Sequence, residues 1–218
     1  MKKFTAMLSL VLMLTAFICQ PAWAAEGDKK ADTESVTVTV DELNDESVFI
    51  KQSTRGTCTL ASAAMVIRRA KLLAGDDDWA EATESAVRGS AWLNGSGILW
   101  SFTYDDISMG HGSVSGTSDL IDLLEEHPEG IVAYDSWMPH AILLTDYDEE
   151  TDTFYCADPS EYAPYGRIPV TDSLISIYDV STVWYVTDSP EISEPILTIT
   201  ETETEADRAA DMVIAEEE

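Results

Sequence analysis

Positive charge is scarce in this chain. Its 218 residues hold 12 lysines and arginines against 41 aspartates and glutamates, a formal net charge of −29. Such a molecule repels phosphate backbones and anionic bilayers, which argues against nucleic acid and acidic membrane surfaces as partners. Cysteine is nearly as sparse, with Cys19, Cys58 and Cys156 only, and histidine is confined to His111, His127 and His140. Metal-ligand spacing, a phosphate-cradling glycine loop and internal repeats are missing, so neither a metal nor a cofactor is expected. A long apolar run occurs once, near the start, and no second one follows.

That run has a specific form. Met1-Lys2-Lys3 precedes an apolar stretch from Phe4 to Cys19, and Ala22-Trp23-Ala24 follows. A basic start, an apolar centre and an A-x-A site read as a signal peptide over residues 1–24, cleaved after Ala24. Bulky Ile18 before Cys19 does not suit lipid attachment. The expectation is a secreted or cell-envelope protein, outside the cytoplasm, soluble after cleavage and monomeric. Cleavage removes Lys2 and Lys3 and no acid, so the mature chain is more negative still. Residues 25–35 are polar and read as a disordered leader. Residues 188–218 are rich in Thr, Glu, Asp and Pro and read as a disordered acidic tail, with too few apolar groups to offset the entropy of ordering. The intervening 36–187 has the length of one domain with a real core.

Within that domain, Val36-Thr-Val-Thr-Val40 alternates as a strand does. Gly56-Thr57 offers a turn and an N-cap for a helix that begins at Cys58, is almost continuously apolar, and ends at Gly75. Asp78, with Glu81 three residues on, predicts a capped second helix over Trp79 to Arg88. Residues 89–116, with Trp92, Trp100, Phe102 and Tyr104, read as a long irregular segment that either walls a cleft or packs the core. Thr117 to His127 is an amphipathic helix. From Ile131 the period shortens to that of strands: 131–134, 140–147, 153–157 and 182–186, with a hairpin at 148–152 and a short helix near 172–178. Helices first and an antiparallel sheet after them define an α+β fold. The alternating Asp146, Asp148, Glu150 and Asp152 lack the glycine and terminal glutamate of a calcium loop and read as a solvated hairpin tip.

Chemistry centres on Cys58. A thiol at a helix N-terminus faces unpaired N–H groups and a partial positive charge, which favour the nucleophilic thiolate. The Cys58 N–H and the side-chain amide of Gln52 are candidates to hold an oxyanion. A buried cysteine is also an ordinary small hydrophobe, so Cys58 needs a histidine and an orienting group. His127 ends a helix and complements its dipole. His111 lies in the irregular segment. His140 opens the most apolar strand, where a rigid backbone can aim it. Asp158, in Asp158-Pro159, ends the next strand and can reach His140 across the hairpin, although Asp-Pro also starts turns.

Taken in this order, the residues resemble the papain-like cysteine peptidases, and within them stand-alone relatives of the bacteriocin-leader (double-glycine) peptidases. The resemblance rests on Gln52 six residues before Cys58, on His140-Ala-Ile-Leu-Leu-Thr-Asp-Tyr-Asp148, and on Asp158-Pro159, and it covers roughly 36–187. Thr59-Leu60 stand where that family has Gly-Pro, and Asp146 where it has Gly. The resemblance implies a papain-like fold, a secreted cysteine peptidase or related thiol hydrolase, a Cys58–His140–Asp158 triad with Gln52 in the oxyanion hole, and a peptide or protein substrate. The same triad also serves amidases and acyl transferases. The opposing expectation is a catalytically inactive papain-like binding module in which Cys58 and Cys156 form a disulfide.

Overall fold

A computed structural model describes residues 38–93 and 97–190 of the protein. The expected signal peptide and leader, and the tail beyond Pro190, lie outside the described residues. Among the described residues the architecture is α+β: seven antiparallel strands carry helices on both faces.

The organising element is α2 (Cys58–Leu73), preceded by a single turn, α1 (Val40–Leu43). From Leu60 to Ile67 every residue of α2 is fully buried. A helix apolar on every side must be enclosed, and this one lies between the sheet and α3 (Glu84–Ala91). It ends as Gly75 predicts. Gly75 takes a positive φ of 72°, its N–H donates to the Leu72 carbonyl, and Asp76 N–H donates to Lys71, a Schellman closure.

The strands are β1 (Phe102–Tyr104), β2 (Ile107–Ser113), β3 (Ile131–Asp135), β4 (His140–Asp148), β5 (Thr153–Ala157), β6 (Ile168–Pro169) and β7 (Val180–Asp188). Their spatial order is β1-β2-β7-β3-β4-β5-β6. The final long strand therefore inserts between two earlier pairs. Ala141 and Leu143 of β4 face α2, whereas Ile142 and Leu144 join the core beneath α4 (Thr117–Glu126). One bulge, between Leu144 and Asp146, shifts this alternation, so Tyr147 shares the Leu144 side.

Several sequence expectations need correction. Val38 and Thr39 are not in a strand; Thr39 caps α1 through a reciprocal bond pair with Glu42, a local alternative that outcompetes unpaired β alternation. The Asp78 helix is a three-residue turn, Trp79–Glu81, and the real helix starts at Glu84 with Thr83 as its cap. The segment 89–116 is not irregular throughout. It holds the β1–β2 hairpin, turned by Asp105 at φ 51°, and His111 sits on β2 rather than in a loop. These strands precede α4, so the sheet is not confined to the C-terminal half. The 172–178 helix is two short 3-10 turns, Val170–Asp172 and Ile177–Asp179.

The cations of α2 do more than complement its dipole. Arg68 donates to the carbonyls of Ser47, Ala80 and Ala82, and Arg69 to those of Leu43, Pro128 and Glu129. Both are buried, and each planar fork ties irregular backbone to the helix. Burial lowers the Arg69 pKa to about 10, which leaves it charged at neutral pH.

Candidate active site

Cys58 is the first residue of α2, and its surroundings leave the helix end open. Thr57 is the N-cap, but its hydroxyl turns back to donate to the Thr54 carbonyl, 2.9 Å away, and makes no side-chain cap. Gly56 permits this turn with φ 88°. The first N–H groups of α2 thus stay available to an anion at the sulfur or beside it.

His140 opens β4 on the far side of a tight turn from β3. The buried Asp135 carboxylate accepts from the N–H groups of Trp137 (2.7 Å) and Met138 (3.0 Å) and shapes that turn. Sequence reading missed this role, although an aspartate two residues before a turn apex is its usual signal. His140 Nε2 meets Asp158 Oδ1 at 2.7 Å, which leaves Nδ1 for Cys58. Asp158 is completely enclosed and also accepts from the N–H groups of Ser160 (2.8 Å) and Leu174 (2.9 Å). Its role as a plain turn former and as the partner of His140 are therefore both served by one carboxylate.

Protonation follows from this arrangement. Burial alone would raise the Cys58 pKa. Hydrogen bonding and attraction from His140, with the Ala141 and Thr59 N–H groups, outweigh it, and the net shift is downward. Burial would lower the pKa of His140, but Asp158 and then Cys58 hold it up at about 9. Asp158 is pushed up by burial and pulled down further by His140 and the two N–H donors. Both shifts run in the direction that favours the thiolate–imidazolium pair over the neutral pair.

Gln52 lies beside these groups, in one cleft with Cys58 and His140. Its backbone N–H donates to Pro159 at 2.8 Å, which fixes it against the loop that follows Asp158. Its Oε1 is enclosed and unpartnered among the described residues, and no described group engages its side-chain nitrogen. Lys51, which sequence reading did not single out, reinforces this seam. Its ammonium donates to the carbonyls of Asp158, Ser160, Ala163 and Pro164, all at 2.7–3.0 Å. The Tyr165 hydroxyl bonds the Phe49 carbonyl across the same seam. Only tertiary proximity brings Lys51 and that loop together, so no local signal could have found them.

Two clefts meet at Cys58. One, of about 470 Å³, is lined by Leu93, Ile98, Trp100, Tyr134, Pro139 and Trp184 among others. Trp100 stacks on Trp184, with centroids 5.7 Å apart, so of the two roles open to the aromatics, Trp100 takes the cleft wall and Phe102 the core. The other, of about 400 Å³, contains Gln52, Arg55, Met138, His140 and Tyr162. A larger groove of about 670 Å³ runs between β5 and the 168–178 segment and touches none of the candidate residues.

The Cys58–Cys156 bridge is not formed. Both thiols are free, and they belong to cores on opposite faces of the sheet, since Cys156 pairs with Leu144 in register while Cys58 packs with Ala141 and Leu143. Burial first, and then Asp158, push the Cys156 thiol far above its ordinary range, which disfavours its thiolate. The carboxylates of the hairpin are spent separately: Asp146 on Arg167, Asp148 on the turn N–H groups, Asp152 on the Tyr147 hydroxyl. No family model, no curated protein and no solved structure matches the chain.

Proposed function

We propose that the protein is a cysteine peptidase of papain-like fold that acts outside the cytoplasm, with Cys58 as nucleophile, His140 as acid and base, Asp158 as orienting group and Gln52 with the Cys58 N–H as oxyanion donors. The observation that carries the reading is the chain of contacts from Asp158 through His140 to a thiol at an open helix end. In the first step the Cys58 thiolate attacks the scissile carbonyl carbon, and the negative charge moves to the oxygen between Gln52 and the helix N–H groups. The C–N bond then breaks, and the imidazolium gives its proton to the leaving amine. Neutral His140 next takes a proton from water, which attacks the thioester, and Cys58 leaves as thiolate. The leaving amine departs toward its proton donor, so the cleft that holds His140 receives the amine side of the substrate. The aromatic cleft receives the acyl side.

The test is turnover of a fluorogenic peptide library by the mature protein. Cys58→Ala is expected to abolish turnover with an unchanged melting temperature; activity retained in that variant would overturn the assignment. An amidase or acyl transferase would instead show Cys58-dependent reactivity without peptide cleavage.

A further inference from the structure

Arg55 stands apart from the other described cations. Lys51, Arg68 and Arg69 are spent on backbone carbonyls, while Lys71, Arg88 and Arg167 are paired with carboxylates. Arg55 makes no carboxylate contact among the described residues, and Glu161 acts on it only at longer range. Its Nη2 donates to the Tyr162 hydroxyl at 3.0 Å, a neutral acceptor, which uses one of five guanidinium donors. That bond also anchors a flexible side chain, because Tyr162 sits on the loop that Lys51 holds in place. Both residues line the cleft that contains His140 and Gln52. Arg55 is thus a steadied guanidinium with donors to spare, exposed in the cleft that holds His140, and its planar fork matches the geometry of a carboxylate.

We infer that Arg55 selects substrates carrying a carboxylate on the amine side of the scissile bond. This rests on the peptidase reading and adds the substrate class to it. The carboxylate can belong to an acidic side chain or to the chain terminus, since both present the same planar oxygen pair to the fork. The high negative charge of the whole molecule sharpens the role. Without Arg55 the cleft would offer an acidic peptide no side-chain cation beyond the His140 imidazolium against the repulsion of the whole molecule.

The experiment reads Cys58 directly and needs no turnover. Second-order rates of alkylation are measured with iodoacetate, which is anionic, and iodoacetamide, which is neutral. In each the Cys58 sulfur forms a bond to carbon, the carbon–iodine bond breaks and iodide leaves. Arg55→Gln is expected to lower the iodoacetate-to-iodoacetamide ratio roughly threefold to fivefold at low salt, the size of an exposed charge pair. The difference should vanish near 1 M salt, where the screening length is about 3 Å. Arg55→Lys should restore part of the ratio, and Tyr162→Phe should lower it by less than Arg55→Gln. An unchanged ratio with rapid iodoacetamide reaction overturns the role of Arg55 and leaves the nucleophile standing. Equal loss of both rates makes Arg55 a scaffold residue and also overturns the role. A Cys58 unreactive to both reagents in the parent protein overturns the peptidase reading and this inference with it. For the source of the carboxylate, peptides with Asp, Asn or Lys on the amine side are compared as amides and as free acids. Preference for Asp in the amides assigns the side chain, and preference for the free acid regardless of residue assigns the terminus.

Discussion

His140 is held by Asp158 at one ring nitrogen and faces Cys58 with the other, and a pH signature follows. Activity should rise as Cys58 ionises below the ordinary thiol range and fall as the imidazolium loses its proton near pH 9. Alkylation by iodoacetamide should share the lower limb but lack the upper one, because the thiolate persists at high pH; a common upper limb would contradict the assignment of His140 as proton donor. The same shifts act on stability. The Asp158 contribution is present above 3.8 and is lost as pH falls through its depressed folded value. The His140 contribution is present below 6.5 and is lost as pH rises through about 9. The pair should therefore stabilise most between those two ordinary values, and His140→Gln should flatten the alkaline side of a melting-temperature profile. Lys51 is a positioning residue on this scale. Lys51→Met leaves four carbonyls without their donor and should lower kcat by roughly tenfold or more while shifting the alkaline limb, since Asp158 heads the loop it secures. Potassium or ammonium at high concentration should rescue Lys51→Ala in part, since carbonyl rings accept such ions.

At the scale of elements, β4 is the strand on which the site depends, and its bulge requires room. Gly130 provides that room. It takes φ 83°, and a Cβ there would stand 2.5 Å from the Leu144 carbonyl oxygen and 3.0 Å from Leu143 Cδ1. Gly130→Ala must strain its own backbone and push the strand, and a loss of about 2–4 kcal/mol is expected in denaturant titration. A loss below about 0.5 kcal/mol would show that the strand yields easily. Helix α2 predicts a different response. Leu60→Ala empties a fully buried position between helix and sheet and should cost about 2–5 kcal/mol. Because Leu60 lies within the first turn, it should also loosen Cys58, and a raised Cys58 pKa would accompany the stability loss.

Over the whole molecule, charge is distributed by necessity. The seven described lysines and arginines are Lys51, Arg55, Arg68, Arg69, Lys71, Arg88 and Arg167, and most are consumed in holding backbone or in internal pairs. The acidic excess is left to the surface, and like charges repel in the compact state. The melting temperature should therefore rise between low and 0.5 M salt, where screening shortens the repulsion. A fall with salt would mean that ion pairs, not repulsion, dominate the electrostatics.

The pattern of the chain determined what depends on neighbours in sequence. An almost continuously apolar run after Gly56-Thr57 makes a buried helix with Cys58 at its open end. β-branched and aromatic runs between 131 and 157, split by turn residues, make the β3–β4–β5 meander, and a short polar link brings Asp158 back toward His140. Local signals failed where two of them competed, as at Thr39, where capping prevails over alternation, and at 102–113, where glycines in β2 disguise a strand that pairs with β7. Only the tertiary structure could decide the rest. The insertion of β7 between β2 and β3, the cage of carbonyls around Lys51, the opposite faces taken by Cys58 and Cys156, and the seat of Arg55 all join residues far apart in the chain. Such contacts are set by which surfaces pack together, and no periodicity or spacing along the chain encodes that choice by itself.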